Sequence, residues 1–333
     1  MTFDENLYRS SKVVTRYDEP ILTPDDVPFP SSLTFNAGII KTGGKYVMLF
    51  RNDYGVTAEE FSKGKHFEGT NIGYAESSDG IHFKIDPKPR FAVRNDEILR
   101  VYDPRITELD GRFYVAFAAD TRHGIRGAIY EATNDFKDFE LLSMSTPDNR
   151  NMVIFPEKIN GNFVRLERPM PVYSRGRDCF DIWLSDSPDL RYWGNPHLVL
   201  GVEDVPYCND KIGPAAPPLK TDRGWLCIFH AVDLDTSRGK NGWEGRWQKR
   251  YCIGIILLDL KNPQKVIGMS KVPLMVPEAP YEISGGFRDN ALFPCAMVEE
   301  GETVRIYYSA GDREIRLASA KLSDLLALCT DAR

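Results

Sequence analysis

No apolar run in the chain is long enough to cross a bilayer: the longest, near Cys252 to Leu258, is far shorter than the roughly 20 residues a spanning helix needs. The first ten residues, MTFDENLYRS, carry acids and no apolar core of the kind a secretion signal requires, so a cytoplasmic protein is expected. The six cysteines (Cys179, Cys208, Cys227, Cys252, Cys295 and Cys329) show no C-x-x-C spacing. In that compartment they read as reduced, mostly buried thiols rather than disulfides or a zinc site, and no metal is expected. There is no excess of positive charge either. A net charge of −6 argues against nucleic acid or an anionic membrane as partners of the whole surface, so any affinity for an anion must come from a local basic cluster. Walker-type and Rossmann glycine motifs are missing, which argues against a nucleotide. Low-complexity segments and linkers are missing too, so residues 1–333 are expected to form a single domain.

What is present is a repeat. Five segments share a short apolar strand, a Gly-containing turn and a strand rich in aromatic and β-branched residues: Gly38–Asp53, Arg105–Asp120, Lys158–Pro169, Pro217–Asp233 and Ala296–Asp312. Each reads as a β-hairpin. A third strand follows each one, at Ile72–Phe83, Ala128–Phe139, Asp181–Trp193, Gly254–Val266 and Arg316–Leu326. One such sheet cannot bury both faces alone, whereas five arranged around an axis can. The expected fold is therefore an all-β, five-bladed β-propeller with a short C-terminal helix. A β-sandwich with coincidental spacing is the alternative.

In a propeller the innermost strands line the axis, so the residues leading into them surround one mouth of the channel. They read Phe35-Asn36-Ala37, Tyr102-Asp103-Pro104-Arg105, Phe155-Pro156-Glu157, Ile212-Gly213-Pro214 and Phe293-Pro294-Cys295. Only Asp103 offers a carboxylate beside an aromatic at this point, with Glu157 the nearest rival. Second strands end in Arg51-Asn52-Asp53, Asp120, Glu167-Arg168, His230 with Asp233, and Asp312. A turn cap is the ordinary reading of Asp120, Asp233 and Asp312, and a surface ion pair remains open for Arg168. For His230 a structural role and a functional one are equally open. The funnel then holds one acid and several cations (Arg150, Arg168, Lys211, His230). That arrangement suits transfer of a group to an anion, because clustered basic side chains bind phosphate through charge-assisted hydrogen bonds.

The sequence resembles glycoside hydrolase family 130, the β-mannoside phosphorylases and related β-mannosidases, over nearly the whole chain. Its most specific pieces are Phe50-Arg51-Asn52-Asp53, Tyr102-Asp103-Pro104-Arg105, Asn149-Arg150-Asn151 with Phe155-Pro156, and Glu167-Arg168-Pro169. Asp210-Lys211-Ile212-Gly213-Pro214, Phe229-His230-Ala231-Val232-Asp233 and Gly286-Phe287-Arg288-Asp289 complete the set. The resemblance implies a five-bladed propeller that catalyses inverting phosphorolysis of a β-mannoside, yielding α-mannose 1-phosphate. It implies Asp103 as general acid, its proton reaching the glycosidic oxygen through a mannose hydroxyl. Arg150, Arg168, Lys211 and His230 would hold phosphate, and Arg51, Asn52, Asp53, Asp289, Asn151 and Tyr102 would contact substrate. Inorganic phosphate is then a co-substrate and no cofactor is implied. An inverting hydrolase needs a second carboxylate to activate water; phosphate is already an anion, so a cationic cradle can replace that carboxylate. The motif set leans toward a β-1,4-linked mannooligosaccharide, mannosyl-N-acetylglucosamine or mannosyl-glucose, with β-1,2-mannoside phosphorolysis and plain hydrolysis as alternatives. Trp243, Trp247 and Tyr251, in the long loop 234–251, read equally as sugar-stacking residues or as an interface. Family members often form homo-oligomers, and the sequence carries no sign for or against one here.

Overall fold

The computed structural model describes residues 5–57, 59–60, 63–170, 180–234 and 249–331. A two-residue strand, β1 (Thr15–Arg16), precedes the first blade. That blade is the antiparallel sheet β2 (Leu33–Thr42), β3 (Lys45–Tyr54), β4 (Gly69–Ser77) and β5 (Lys84–Ile85). The second comprises β6 (Ile98–Leu109), β7 (Arg112–Thr121), β8 (Gly124–Ala132) and β9 (Phe139–Met144). The third comprises β10 (Asn149–Ile154), β11 (Phe163–Pro169), β12 (Ile182–Ser187) and β13 (Gly194–Leu200). In the fourth, β14 (Lys211–Pro214) and β15 (Leu219–Thr221) both pair with β16 (Gly224–Asp233), followed outward by β17 (Arg250–Leu258) and β18 (Val266–Met269). The fifth comprises β19 (Leu292–Glu300), β20 (Thr303–Ala310) and β21 (Glu314–Lys321). The five-bladed propeller expected from the repeat is present.

The termini close the ring. β1 adds to β21 as the outer strand of the fifth blade, with Thr15 opposite Ser319. A short helix, α1 (Pro280–Ile283), lies ahead of the fifth blade, and another, α2 (Leu322–Leu328), after it. α2 seats Leu325 in the core and is the expected C-terminal helix. β22 (Thr330–Asp331) then pairs with β18 of the fourth blade. Among the described residues no helix is long and apolar enough to cross a membrane.

The near-continuous apolar runs follow from the geometry, because each blade is sandwiched between two others and side chains alternate between its faces. On β3, Tyr46, Met48 and Phe50 face the fifth blade, whereas Val47 and Leu49 face the second. On β16, Leu226 and Ile228 pack toward the fifth blade, and Trp225, Cys227 and Phe229 toward the third. An apolar cluster fills each of the five seams between blades.

Two expectations need correction. The third hairpin is not Lys158–Pro169: its innermost strand is Asn149–Ile154, paired with Phe163–Pro169. The pair Ile159 and Asn162 only closes a small turn within the long connection, and that local turn is what the sequence displays. The residues taken as lead-ins to the first, second and fifth blades lie inside the innermost strands, at irregularities between Phe35 and Gly38, Tyr102 and Arg105, and Pro294 and Ala296, whereas Phe155-Pro156-Glu157 follows the innermost strand of the third. Glu157 is not in the funnel. It is exposed and accepts hydrogen bonds from Lys220, beside Pro156, which lines the far end of the axis with residues from the other four blades.

Candidate active site

Three of the strand irregularities share a backbone feature. Asn36, Asp103 and Asn151 have φ of 48°, 57° and 57°, the left-handed region that short polar side chains tolerate best among non-glycine residues. A bulge of this kind re-aims the extra residue's side chain. It therefore supplies one polar group from each of three successive blades.

Asp103 is held by its neighbours. Its Oδ1 accepts from Asn36 Nδ2 at 3.0 Å and from Arg51 Nη1 at 3.2 Å, and its side chain keeps 15% exposure. Asn36 is fixed in turn by Ser309 of the fifth blade, whose Oγ accepts from the Asn36 N–H and donates to its Oδ1. Arg51 also grips Asp53 through two bonds of 3.1 and 2.7 Å. Its guanidinium lies between the rings of Phe35 and Tyr102, 4.3 and 4.6 Å from their centroids. Burial opposes its charge, but Asp53 and Asp103 outweigh burial and hold Arg51 above the usual arginine range. Thr70 donates to Asp53 at 2.6 Å. Asn52 points elsewhere, its amide donating to the Pro30 carbonyl and to Asn71.

The basic residues converge as a second group. Arg150 on β10 is the direct cross-strand partner of Arg168 on β11, and Arg168 Nη1 donates to His230 Nε2 at 3.0 Å. Because a guanidinium only donates, Nε2 must be the acceptor, and the proton of the neutral ring sits on Nδ1. Burial, then Arg168, Lys211 and Arg150, push His230 well below the usual histidine range, so that neutral form is the stable one. Burial and Arg150 pull Arg168 down to about 9. Nε of Arg150, Nε of Arg168 and Nδ1 of His230 are buried without a hydrogen-bond partner among the described residues. Lys211, at the start of β14, is 14% exposed and 3.8 Å from Asp210. Among the described residues Arg168 makes no surface ion pair, and the adjacent Glu167 is taken by Arg165 and Asn149. At Gly213 an added Cβ would lie 2.4 Å from His230 and 2.9 Å from Arg168, so only glycine lets these groups meet.

Tyr102 links the two groups. Its hydroxyl donates to Asp120 at 2.8 Å, and Arg150 acts electrostatically on it. Beneath both lies Arg105, 3% exposed. It donates to the carbonyls of Asn36 and Pro104, at 3.1 and 2.7 Å, and to that of Ala215, and its face lies 5.5 Å from the Phe293 ring. One arginine thus ties four blades together at the axis.

A family model described as β-1,4-mannooligosaccharide phosphorylase matches residues 9–331. The chain belongs to glycoside hydrolase family 130. Within family 130 it is 34% identical over 262 residues to the β-1,2-mannobiose phosphorylase of Listeria innocua, covering 77% of this chain and 69% of that protein. It is 32% identical to the β-1,4-mannooligosaccharide phosphorylase of Ruminococcus albus, covering 94% and 90%. The solved structure of the Listeria innocua enzyme with β-1,2-mannobiose superposes with a TM-score of 0.79 at 27% identity, over 95% of this chain and 99% of that one.

Of the residues singled out from sequence, Arg51, Asp53, Tyr102 and Asp103 form one connected group, and Arg150, Arg168, Lys211 and His230 form another. Asn151 sits in the third-blade bulge, with a buried Oδ1 that has no hydrogen-bond partner among the described residues. Asp289 is exposed on the turn after α1. Tyr251 is described and its ring lies 5.5 Å from Lys211 Nζ; Trp243, Trp247 and Cys179 lie outside the described residues.

Sequence reasoning missed Asn36 as a holder of Asp103, although its place in the same motif position was a usable signal. It also took Asp312 for a turn cap. Asp312 accepts from Arg288 at 3.0 Å and is 15% exposed. Burial raises its pKa above the usual range, and it senses both Arg51 and Asp103.

Proposed function

We propose that this chain is a β-mannoside phosphorylase, transferring a mannosyl group to inorganic phosphate with inversion and releasing α-mannose 1-phosphate. The observation that carries this reading is the buried group Arg150, Arg168, Lys211 and His230, which among the described residues leaves two guanidinium Nε–H donors and one imidazole N–H donor unpartnered. Burying charge without a counter-charge is costly, so such a cluster is retained where an anion completes it. A dianion with four oxygens fits those donors, and the phosphorylase relatives support the assignment.

In this reading Asp103 is the general acid. Asn36 and Arg51 occupy its Oδ1, and no hydrogen bond is made to its Oδ2 among the described residues. Oδ2 is thus the side that faces substrate and supplies the proton, through a sugar hydroxyl. A phosphate oxygen forms the new bond to the anomeric carbon as the bond to the glycosidic oxygen breaks, and the departing sugar takes the proton. The carboxylates nearest Asp103 are engaged, Asp53 by Arg51 and Asp312 by Arg288, which leaves phosphate rather than an activated water as the nucleophile. Fixing that nucleophile in line with the scissile bond is where positioning lowers the barrier most.

The test is to incubate the protein with β-1,4-mannobiose and with β-1,2-mannobiose, with and without phosphate, following α-mannose 1-phosphate by phosphorus NMR. Phosphate-dependent release of the sugar phosphate is expected, and the substrate that yields it assigns the linkage. Mannose formed at the same rate without phosphate would make the chain a hydrolase.

A further inference from the structure

The cradle poses an electrostatic problem of its own. Burial draws Arg168 down only to about 9, whereas a lysine ammonium desolvated among like charges gives up its charge at lower pH. Lys211 is in that position. Phe180 and Tyr251 flank it, their centroids 5.7 and 5.5 Å from Nζ. Arg150 on β10, Arg168 on β11, His230 on β16 and Lys249 just before β17 add only positive or neutral groups around it. Burial, then Lys249 and Arg168, draw it down to about 8, with Asp210 acting in the opposite sense.

Asp210 is the acid placed to answer this. Its backbone is pinned to the strand that carries His230, with the Asp210 N–H donating to the Val232 carbonyl at 3.0 Å. Its carboxylate is 18% exposed, with Oδ2 3.1 Å from Lys249 Nζ and 3.8 Å from Lys211 Nζ. One oxygen therefore lies between two ammonium groups, bonded to the more exposed of them. An unscreened carboxylate here would repel phosphate; one paired with Lys249 does not, yet it still favours the charged form of Lys211.

We propose that Asp210, screened by Lys249, is a positioning residue that keeps Lys211 charged and aimed at the phosphate nucleophile. This rests on the phosphorolysis reading above and adds to it a pair of residues that need not touch phosphate.

The sign is fixed by the geometry. Lys211 binds an anion while protonated, so its contribution to phosphate affinity is full at low pH and falls as pH rises through the lysine's titration, and comparing variants at one pH cancels the ionisation of phosphate itself. Removing Asp210 moves that fall to lower pH, whereas removing Lys249 takes away a positive neighbour and moves it higher. The experiment is titration calorimetry of the whole protein with inorganic phosphate between about pH 6 and 9. Asp210→Asn is expected to bind phosphate at least as well as wild type near pH 6 and about fivefold more weakly near pH 8, where a displacement of roughly one pKa unit cuts the charged fraction of Lys211 from about a half to about a tenth. Asp210→Glu should restore the wild-type profile, and Lys249→Met should shift the break the other way. Parallel profiles for wild type and Asp210→Asn at every pH would overturn the proposal while leaving phosphorolysis standing. A wild-type protein that takes up no phosphate at any pH would overturn the phosphorolysis reading instead.

Discussion

At the scale of single residues, Asp103 carries the most weight, and its surroundings allow a clean test. Asp103→Asn keeps the size and the left-handed backbone, which asparagine tolerates as well as aspartate. Folding should therefore survive, with melting temperature and circular dichroism unchanged. Proton donation is lost, and general-acid catalysis contributes about 10²–10⁴ in rate, so kcat should fall by about a thousandfold. An unchanged kcat would remove Asp103 from the chemistry. Gly213 gives the complementary case on the phosphate side. A methyl group there meets His230 at 2.4 Å and Arg168 at 2.9 Å, so Gly213→Ala must push one of them aside. The KM for phosphate should rise about tenfold or more, the effect of losing one charge-assisted hydrogen bond, while the KM for the mannoside stays near wild type. Steady-state kinetics with each substrate varied in turn separates the two.

At the scale of elements, the hairpins of the first, second, fourth and fifth blades were legible because a glycine turn sits between strands whose alternation is local information. The third was misread because its connection contains a smaller turn, Ile159 to Asn162, that imitates a hairpin. What could not be read depends on pairings across the chain. Nothing in Thr15-Arg16 announces that it closes the ring on β21. Asn36 meets Asp103 only because two bulges from different blades face one axis, and Asp312 joins them only once the fifth blade is in place. The same long-range logic makes the ring closure testable. Glu282, fully buried in α1, accepts from Arg16 of β1 at 2.8 and 3.0 Å, from the Tyr308 hydroxyl at 2.9 Å, and from the N–H groups of Glu278 and Ala279. It thereby ties the closing strand to the segment that carries Arg288 toward Asp312. Glu282→Gln keeps the shape but leaves Arg16 with the more exposed Glu278 as its remaining counter-charge, and losing charge-assisted hydrogen bonds of this kind costs about 2 kcal/mol. A lowered urea midpoint is expected, together with a raised KM for the mannoside and an unaltered KM for phosphate. A loss of stability with both KM values unchanged would separate the closure from the site.

At the scale of the whole molecule, the five seams of apolar side chains make the ring stable enough to hold an unfavourable centre. Arg150, Arg168 and Lys211 are packed beside one another, and burial together with that repulsion draws Arg168 down to about 9 and Lys211 to about 8. The protein without ligand therefore sits below the stability its seams could give, and an anion that neutralises the centre recovers the difference. Phosphate at a hundred times its dissociation constant should stabilise the fold by about 2.7 kcal/mol through mass action alone, seen as a rise in melting temperature that chloride at equal ionic strength does not reproduce. Arg168→Met takes the argument to its limit. It removes one of the repelling charges while filling much the same volume, and replacing buried charge by a packed apolar side chain is often neutral or stabilising. The variant should melt at or above the wild-type temperature without phosphate, show no further rise when phosphate is added, and have lost phosphorolysis. If it melts well below wild type and still gains from phosphate, the cations at the axis serve the fold rather than the reaction.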